Sequence, residues 1–328
     1  MPTKRTLTTT VTTTSTSTGL NFVFLLLLSP VLRTSCMVRP PTAFLQSSEL
    51  LRGLGRTAFP RNPRRRQGIT FATMNGKNVA ENLAMIRLRV EEAAKGAEMV
   101  PLPRLVAVSK TKPGEALQEA YNAGQRHFGE NYVNEVLEKA RELPKDIKWH
   151  FIGHLQSNKV KPLVAQVANL WMVEAVDSSK LADRLQAAAA TVLETERKGE
   201  PLKVLVQVDT SGEDTKSGVA ADEAVEIAQH ILANCPALSF AGVMTIGAPG
   251  DLTCFDKLVE TRQRVASATG LEAASLELSM GMSGDFEEAI ARGSTNVRVG
   301  SLIFGERSYP PRKGTSESSP TATTTTLK

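Results

Sequence analysis

Cysteine is scarce in this chain of 328 residues: Cys36, Cys235 and Cys254 are scattered, and none forms a Cys-x-x-Cys pair. That spacing indicates neither a zinc ribbon nor a disulfide framework. Cys235 and Cys254 read as inert residues of a core or a helix end. Aromatic residues make up only 5% of the chain. No Gly-x-Gly-x-x-Gly follows the first strand-like run, which weakens a dinucleotide-binding fold. The apolar run 20–32 (LNFVFLLLLSPVL) has about 13 residues, too few to span a bilayer. Acidic residues are nearly missing from the first 73 positions, where Glu49 stands against ten cations.

That last imbalance changes how the net charge is read. The whole chain carries +5, but the first 73 residues carry about +9, so the remainder is mildly acidic at about −4. A basic nucleic-acid or membrane-surface protein is therefore not indicated. The apolar run fits the hydrophobic core of a signal sequence, and the Arg-rich, acid-poor residues after it have transit-peptide composition. Together they resemble the two-part leaders of plastid proteins in algae with complex plastids, with Pro41-Thr42-Ala43-Phe44 where such leaders are cut. A mitochondrial leader and a cytoplasmic chain starting at Met74 are the alternatives. Residues 1–75 are thus expected to be a targeting leader. The Ser/Thr-rich residues 310–328 are expected to be a disordered tail.

What remains alternates. Strand-like runs are expected at 105–109, around His127 and Phe128, and at 148–152, 171–175, 203–208, 240–244, 276–280 and 296–299. Helical patterns are expected at 78–95, with Gly96 as its C-cap, and at 131–143, 179–198, 221–233, 254–268 and 286–292. About eight strands alternating with helices over 76–309 predict an α/β fold, a single (β/α)8 TIM barrel. An open doubly wound sheet is the alternative. Little chain follows Phe304, so no second folded domain is expected.

In such a barrel, function gathers where strands end. The first strand ends in Ser109-Lys110-Thr111-Lys112-Pro113. A lysine at the end of a buried strand is costly unless something uses it. Schiff-base chemistry is one use, and Lys112 is a cation that could make the Lys110 amine more nucleophilic. The plain alternative is that both lysines snorkel into water. Ser283 and Gly284 precede a short helix, and Gly300 and Ser301 follow the last strand. Both pairs suit an anion, and together they suit a phosphate. Arg298, one residue from a strand end, reads either as an ion-pair partner or as a group facing a ring nitrogen. His150 and His154 have an i, i+4 spacing, but they straddle a strand end with no carboxylate close in sequence, so no metal site is assigned. His127 and His230 read as structural or solvent-facing. Asp209 reads as a pocket carboxylate or a turn residue.

These segments resemble the pyridoxal phosphate (PLP) homeostasis proteins, the proline synthase co-transcribed homologues with an alanine-racemase-like barrel. The matching stretches are Val108 to Pro113, Phe128-Gly129-Glu130-Asn131-Tyr132, His150 to Lys159, Leu278 to Ser283, and Asn296-Val297-Arg298-Val299-Gly300-Ser301. The resemblance implies pyridoxal 5'-phosphate bound as a Schiff base on Lys110 and Asn131 near the ring. It also implies Ser283, Gly300 and Ser301 at the phosphate and Arg298 at the pyridine nitrogen. Asp209 stands where the family often has Asn. The implied function is reversible PLP storage and delivery, with PLP-dependent apoenzymes as recipients, no catalytic residue, and a monomer or weak dimer. A PLP-dependent amino-acid racemase is the competing reading. It would need a second base opposite the lysine, and of Tyr121, Tyr132 and Tyr309 only Tyr132 lies near the predicted mouth. An arginine at the ring nitrogen would also weaken the electron sink.

Overall fold

The structure is a computed structural model that describes residues 78–212 and 217–306. The expected leader at 1–75 and tail at 310–328 lie outside the described residues, as does Cys36.

Eight parallel strands close into a barrel in chain order: β1 (Arg104–Val108), β2 (His127–Glu130), β3 (Lys148–Phe151), β4 (Leu170–Val176), β5 (Leu202–Gln207), β6 (Leu238–Met244), β7 (Glu277–Ser279) and β8 (Asn296–Val299). β8 closes the ring against β1, with Arg104 opposite Asn296 and Val106 opposite Arg298. The open doubly wound sheet is therefore excluded. Helix α1 (Val79–Gly96) precedes the barrel; α2 (Gly114–Asn122), α3 (Val133–Glu142), α4 (Val160–Gln166), α5 (Ser179–Val192), α6 (Ala221–Asn234), α7 (Thr253–Thr269), α8 (Phe286–Ala291) and α9 (Ser301–Phe304) follow successive strands. No described helix is long and apolar enough to cross a membrane.

Strand periodicity sorts the side chains. On β3, Trp149 and Phe151 enter the large apolar core shared with the helices, and on β8 Val297 and Val299 do the same. The alternate residues His150, Asn296 and Arg298 are also buried, but they lie outside that core, within the barrel. A small second cluster of Met172, Ala175, Leu205 and Met244 shares this interior. Each large apolar side chain buried between strand and helix contributes about 1.5–3 kcal/mol, so the mantle carries the fold and leaves the interior open to polar groups.

The strand expectations hold to within a residue or two, and several helix ends differ. Gly96 is the last residue of α1 rather than its cap; the Ala97 amide closes the helix on Ala93 and Ala94. The helix expected at 131–143 starts only at Val133, because Asn131 and Tyr132 remain in the loop leaving β2. The helix expected at 179–198 stops at Val192. Beyond it Arg197 donates to the carbonyls of Leu170 and Glu200, and Gly199 takes φ +80°, so the chain turns back into β5.

Candidate functional site

β1 carries its inward side chains at Arg104, Val106 and Val108, and the same alternation brings Lys110 to the carboxyl end of the barrel. There a cavity of about 250 Å3 is lined by Lys110, Lys112, Ser283, Arg298, Gly300 and Ser301, among others. The structure thus gathers five of the six residues singled out in the sequence around one space. The sixth, Asn131, lines a second cavity with Tyr132, His154 and Lys159. Its Oδ1 is buried without a hydrogen-bond partner. Gly153 allows this arrangement: a Cβ there would lie 2.4 Å from the Asn131 carbonyl oxygen.

The turn that carries Lys110 is clamped on both sides. Lys139 of α3, almost fully buried, donates from Nζ to the Ser109 carbonyl at 2.9 Å, to Glu130 Oε1 at 2.8 Å and to Glu135 Oε2 at 2.8 Å. The Ser109 hydroxyl donates to Glu130 Oε1 at 2.6 Å. The Thr111 amide donates to Glu135 Oε2 at 2.8 Å, and Thr111 sits at φ +63°, a region that β-branched residues rarely adopt. Burial pushes the Glu130 carboxyl above its usual range, while Lys139 opposes that rise. Lys112 donates from Nζ to the Glu306 carbonyl at 2.6 Å, so its ammonium stays at the cavity wall.

Across the cavity, two loops present unused donors. Among the described residues, the amides of Ser283, Gly284 and Ser301 have no hydrogen-bond acceptor. The Gly300 amide donates to Ser283 Oγ at 3.3 Å, which ties the β7–α8 loop to the end of β8. Gly281, at φ +94°, lets that loop pass α8 closely, since a Cβ there would lie 2.6 Å from the Ala289 Cβ. Asp285 Oδ1 accepts from the Met282 amide at 2.6 Å and fixes the turn. Backbone amides converging in this way recognise an anion.

Arg298 is 4% exposed. Its Nη1 donates to Ser279 Oγ at 2.6 Å and its Nη2 to the Thr245 carbonyl at 2.7 Å. Burial lowers its pKa, while the negative charges of Glu174 and Asp285 oppose that fall. Arg298 thus lines the cavity without a direct ion pair, and two carboxylates act on it from a distance.

The remaining candidates separate. His150 is fully buried and bonds Glu174, whereas His154 is exposed and bonds Asp177, so the i, i+4 pair does not converge. Asp209 is a turn residue: its Oδ1 accepts from the amides of Ser211 and Gly212 and from the Ser211 hydroxyl. Cys235 and Cys254 are both buried free thiols. Sequence reading did not find Lys139, Glu135, Glu174 or Ser279. The available signal was a charged residue inside an apolar run, as with Glu174 in Leu170–Val176.

The alanine racemase N-terminal domain model matches residues 80–308. The mouse pyridoxal phosphate homeostasis protein is 52% identical over 221 residues, 63% of this chain and 78% of its own length. The structure of PipY from Synechococcus elongatus with PLP bound is 34% identical at a TM-score of 0.57, covering 70% of this chain and all of that one. Alanine racemase from Corynebacterium glutamicum, 19% identical at a TM-score of 0.51, covers 70% of this chain and 60% of its own and shares the fold alone. The chain belongs to the alanine racemase N-terminal domain family and, within it, to the pyridoxal phosphate homeostasis proteins.

Proposed function

We propose that this chain binds pyridoxal 5'-phosphate reversibly, with Lys110 as the point of covalent attachment, and holds it for homeostasis of the cofactor rather than for turnover. One observation carries the reading. A single cavity brings together a strand-end primary amine, a buried guanidinium and two loops with unsatisfied amides. That donor set fits the group, and the PLP-bound relative supports it. When bound, the cofactor supplies an aldehyde that condenses with a primary amine, a phosphate dianion and a pyridine ring.

The chain's own residues then divide the work. The Lys139–Glu130–Glu135 cluster fixes the backbone on either side of Lys110, so the amine is presented without a search through loop conformations. Lys112 adds positive charge at the wall, which favours the neutral amine at Lys110 and attracts a dianion. The Ser283, Gly284 and Ser301 amides and the Ser283 hydroxyl take the phosphate. Arg298, at the cavity wall, would face the ring nitrogen of the bound group. A guanidinium has no acceptor and does not surrender its proton, so it would leave that nitrogen unprotonated. That setting disfavours carbanion chemistry and suits a holder. Asn131, for which the resemblance implies a place near the ring, lines the adjacent cavity with an unpartnered Oδ1.

The racemase reading requires a second base at the cavity. Among the described residues, Lys112 is the other amine on the cavity lining, with its Nζ bound to the Glu306 carbonyl, and Tyr132 lines the other cavity and is exposed. The recipients in this reading are PLP-dependent apoenzymes. The leader reading extends to import into an organelle, and a fluorescent tag on the full-length chain tests it: diffuse cytosolic signal would count against import. Binding is tested by the visible spectrum of protein mixed with PLP. A band that is lost in Lys110→Ala is expected. No band, or one that survives the substitution, rejects the assignment. Incubation with L-alanine and a chiral assay should give no D-alanine above background, and robust formation would overturn the holding function.

A further inference from the structure

The barrel interior holds a second set of ionisable groups that the site as described leaves unused. Glu174 of β4 is fully buried and accepts from three donors. His150 Nδ1 of β3 reaches its Oε1 at 2.6 Å, Asn296 Nδ2 of β8 reaches Oε1 at 3.1 Å, and the Ser279 hydroxyl of β7 reaches Oε2 at 2.5 Å. The direction of the last bond follows from chemistry. Arg298 Nη1 can only donate, and it lies 2.6 Å from Ser279 Oγ. Ser279 therefore accepts from arginine and gives its one proton to Glu174. An acid that accepts on both oxygens is an anion.

The chain continues to the other end of the barrel. His150 Nε2 faces His127 Nδ1 of β2 at 2.9 Å. With His150 Nδ1 donating to Glu174, the contact between His127 Nδ1 and His150 Nε2 holds one proton between its two nitrogens. Burial chiefly opposes protonation of His127, followed by His150, Arg104 of β1 and Lys148 of β3. It packs edge-on against Trp171, whose face carries the ammonium groups of Lys148 and Lys203 of β5. Burial, with the charges of His150, Arg104 and Lys148, lowers the His127 pKa to about 3 against the opposing charge of Glu174.

We infer that Glu174 is the positioning residue for Arg298: through the Ser279 hydroxyl it neutralises the buried guanidinium and locks its orientation at the cavity, so the proton affinity of a ligand ring nitrogen there is set from inside the barrel. The guanidinium's direct partners, Ser279 and the Thr245 carbonyl, are neutral, so without Glu174 the negative charge left acting on it is that of Asp285. Without Ser279 the anion and the cation lose their bridge. His150 and Asn296 hold the carboxylate in place. This inference rests on the proposed binding of PLP, and its test separates the two.

The full-length chain is compared with Glu174→Gln, Ser279→Ala and Ser279→Thr. In unloaded protein, the Nη signals of Arg298 are followed by 15N NMR. Distinct, slowly exchanging signals are expected in the parent chain and in Ser279→Thr, which keeps the hydroxyl. Collapsed signals are expected in Ser279→Ala and Glu174→Gln. In protein mixed with PLP, all variants should bind through Lys110. The pH midpoint of the visible band should move by about one unit or more, a tenfold change in proton affinity, in Ser279→Ala and Glu174→Gln. It should return in Ser279→Thr. Unchanged Arg298 signals and an unchanged midpoint in Ser279→Ala would overturn the inference. If Glu174→Gln does not fold, the Ser279 pair decides. If the parent chain binds no PLP, the proposed function fails by itself, and the Arg298 signals of the unloaded protein still decide whether Glu174 and Ser279 hold that side chain.

Discussion

Strand β8 puts two kinds of interior side by side. Val297 and Val299 point outward into the helices, while Asn296 and Arg298 point into the barrel, and all four are buried. β3 repeats the division, with Trp149 and Phe151 outside and His150 inside. The outer layer is a continuous apolar mantle. The inner layer combines a few apolar residues with Glu174, Ser279, His150, Asn296 and Arg298. Apolar packing is forgiving of partner identity, since many side chains of similar volume fill the same space. A buried polar network is not, because each donor needs its own acceptor. The mantle therefore specifies the barrel, and the interior specifies what the barrel does.

The largest effect that tests this division is in the interior. Glu174→Gln leaves Arg298 charged and buried without the larger of the two negative charges that act on it, and should cost about 3–5 kcal/mol in urea denaturation at neutral pH. The double variant Glu174→Gln with Arg298→Gln should cost less than the two single changes combined. Additive costs would mean that the two charges do not interact. Next comes the mantle. Leu185 of α5 is fully buried, and Leu185→Ala should cost about 2–5 kcal/mol. This loss should be the same at pH 5 and pH 8, because nothing that titrates is removed.

The pH profile sharpens the contrast. Burial alone would raise the Glu174 pKa, but the hydrogen bond and charge of His150, with Arg298 and Ser279, bring it from 4.5 down to about 2. A depressed carboxylate contributes stability that is present above its unfolded value and lost as pH falls from about 4.5 toward 2. His127 has a depressed pKa as well, from 6.5 to about 3, chiefly through burial. Its unfolded form takes up a proton below pH 6.5 and its folded form does not until near pH 3, so stability falls across that window. Denaturation midpoints measured from pH 8 to pH 4 should decline in the parent chain and decline less in His127→Gln. Parallel profiles would place the acid sensitivity elsewhere. The smallest effect is expected at the surface. Asp222 pairs with Arg264 at an exposed site, and Asp222→Ala should change stability by no more than about 1 kcal/mol.

The same division decides what could be read in the sequence. The mantle was legible because its signal is local: apolar residues recur at strand and helix periods within one element. Lys110 and the Ser283 and Gly300 loops were legible because polar residues at strand ends punctuate that pattern. The interior was not, because its partners are distant in the chain. Glu174 meets His150 across 24 residues and Ser279 across 105. Lys139 reads locally as an ordinary helix lysine, and only folding puts it against the Ser109 carbonyl. Asp209 could be read either as a pocket group or as a turn residue until its hydrogen bonds to Ser211 and Gly212 decided for the turn.

The most direct test of the binding site is to mix the full-length protein with pyridoxal phosphate, reduce with borohydride, and map the modified peptide by mass spectrometry. One pyridoxyl phosphate adduct on Lys110 is predicted, with Lys112 and Lys139 unmodified. An adduct on another lysine, or none at all, would contradict the account.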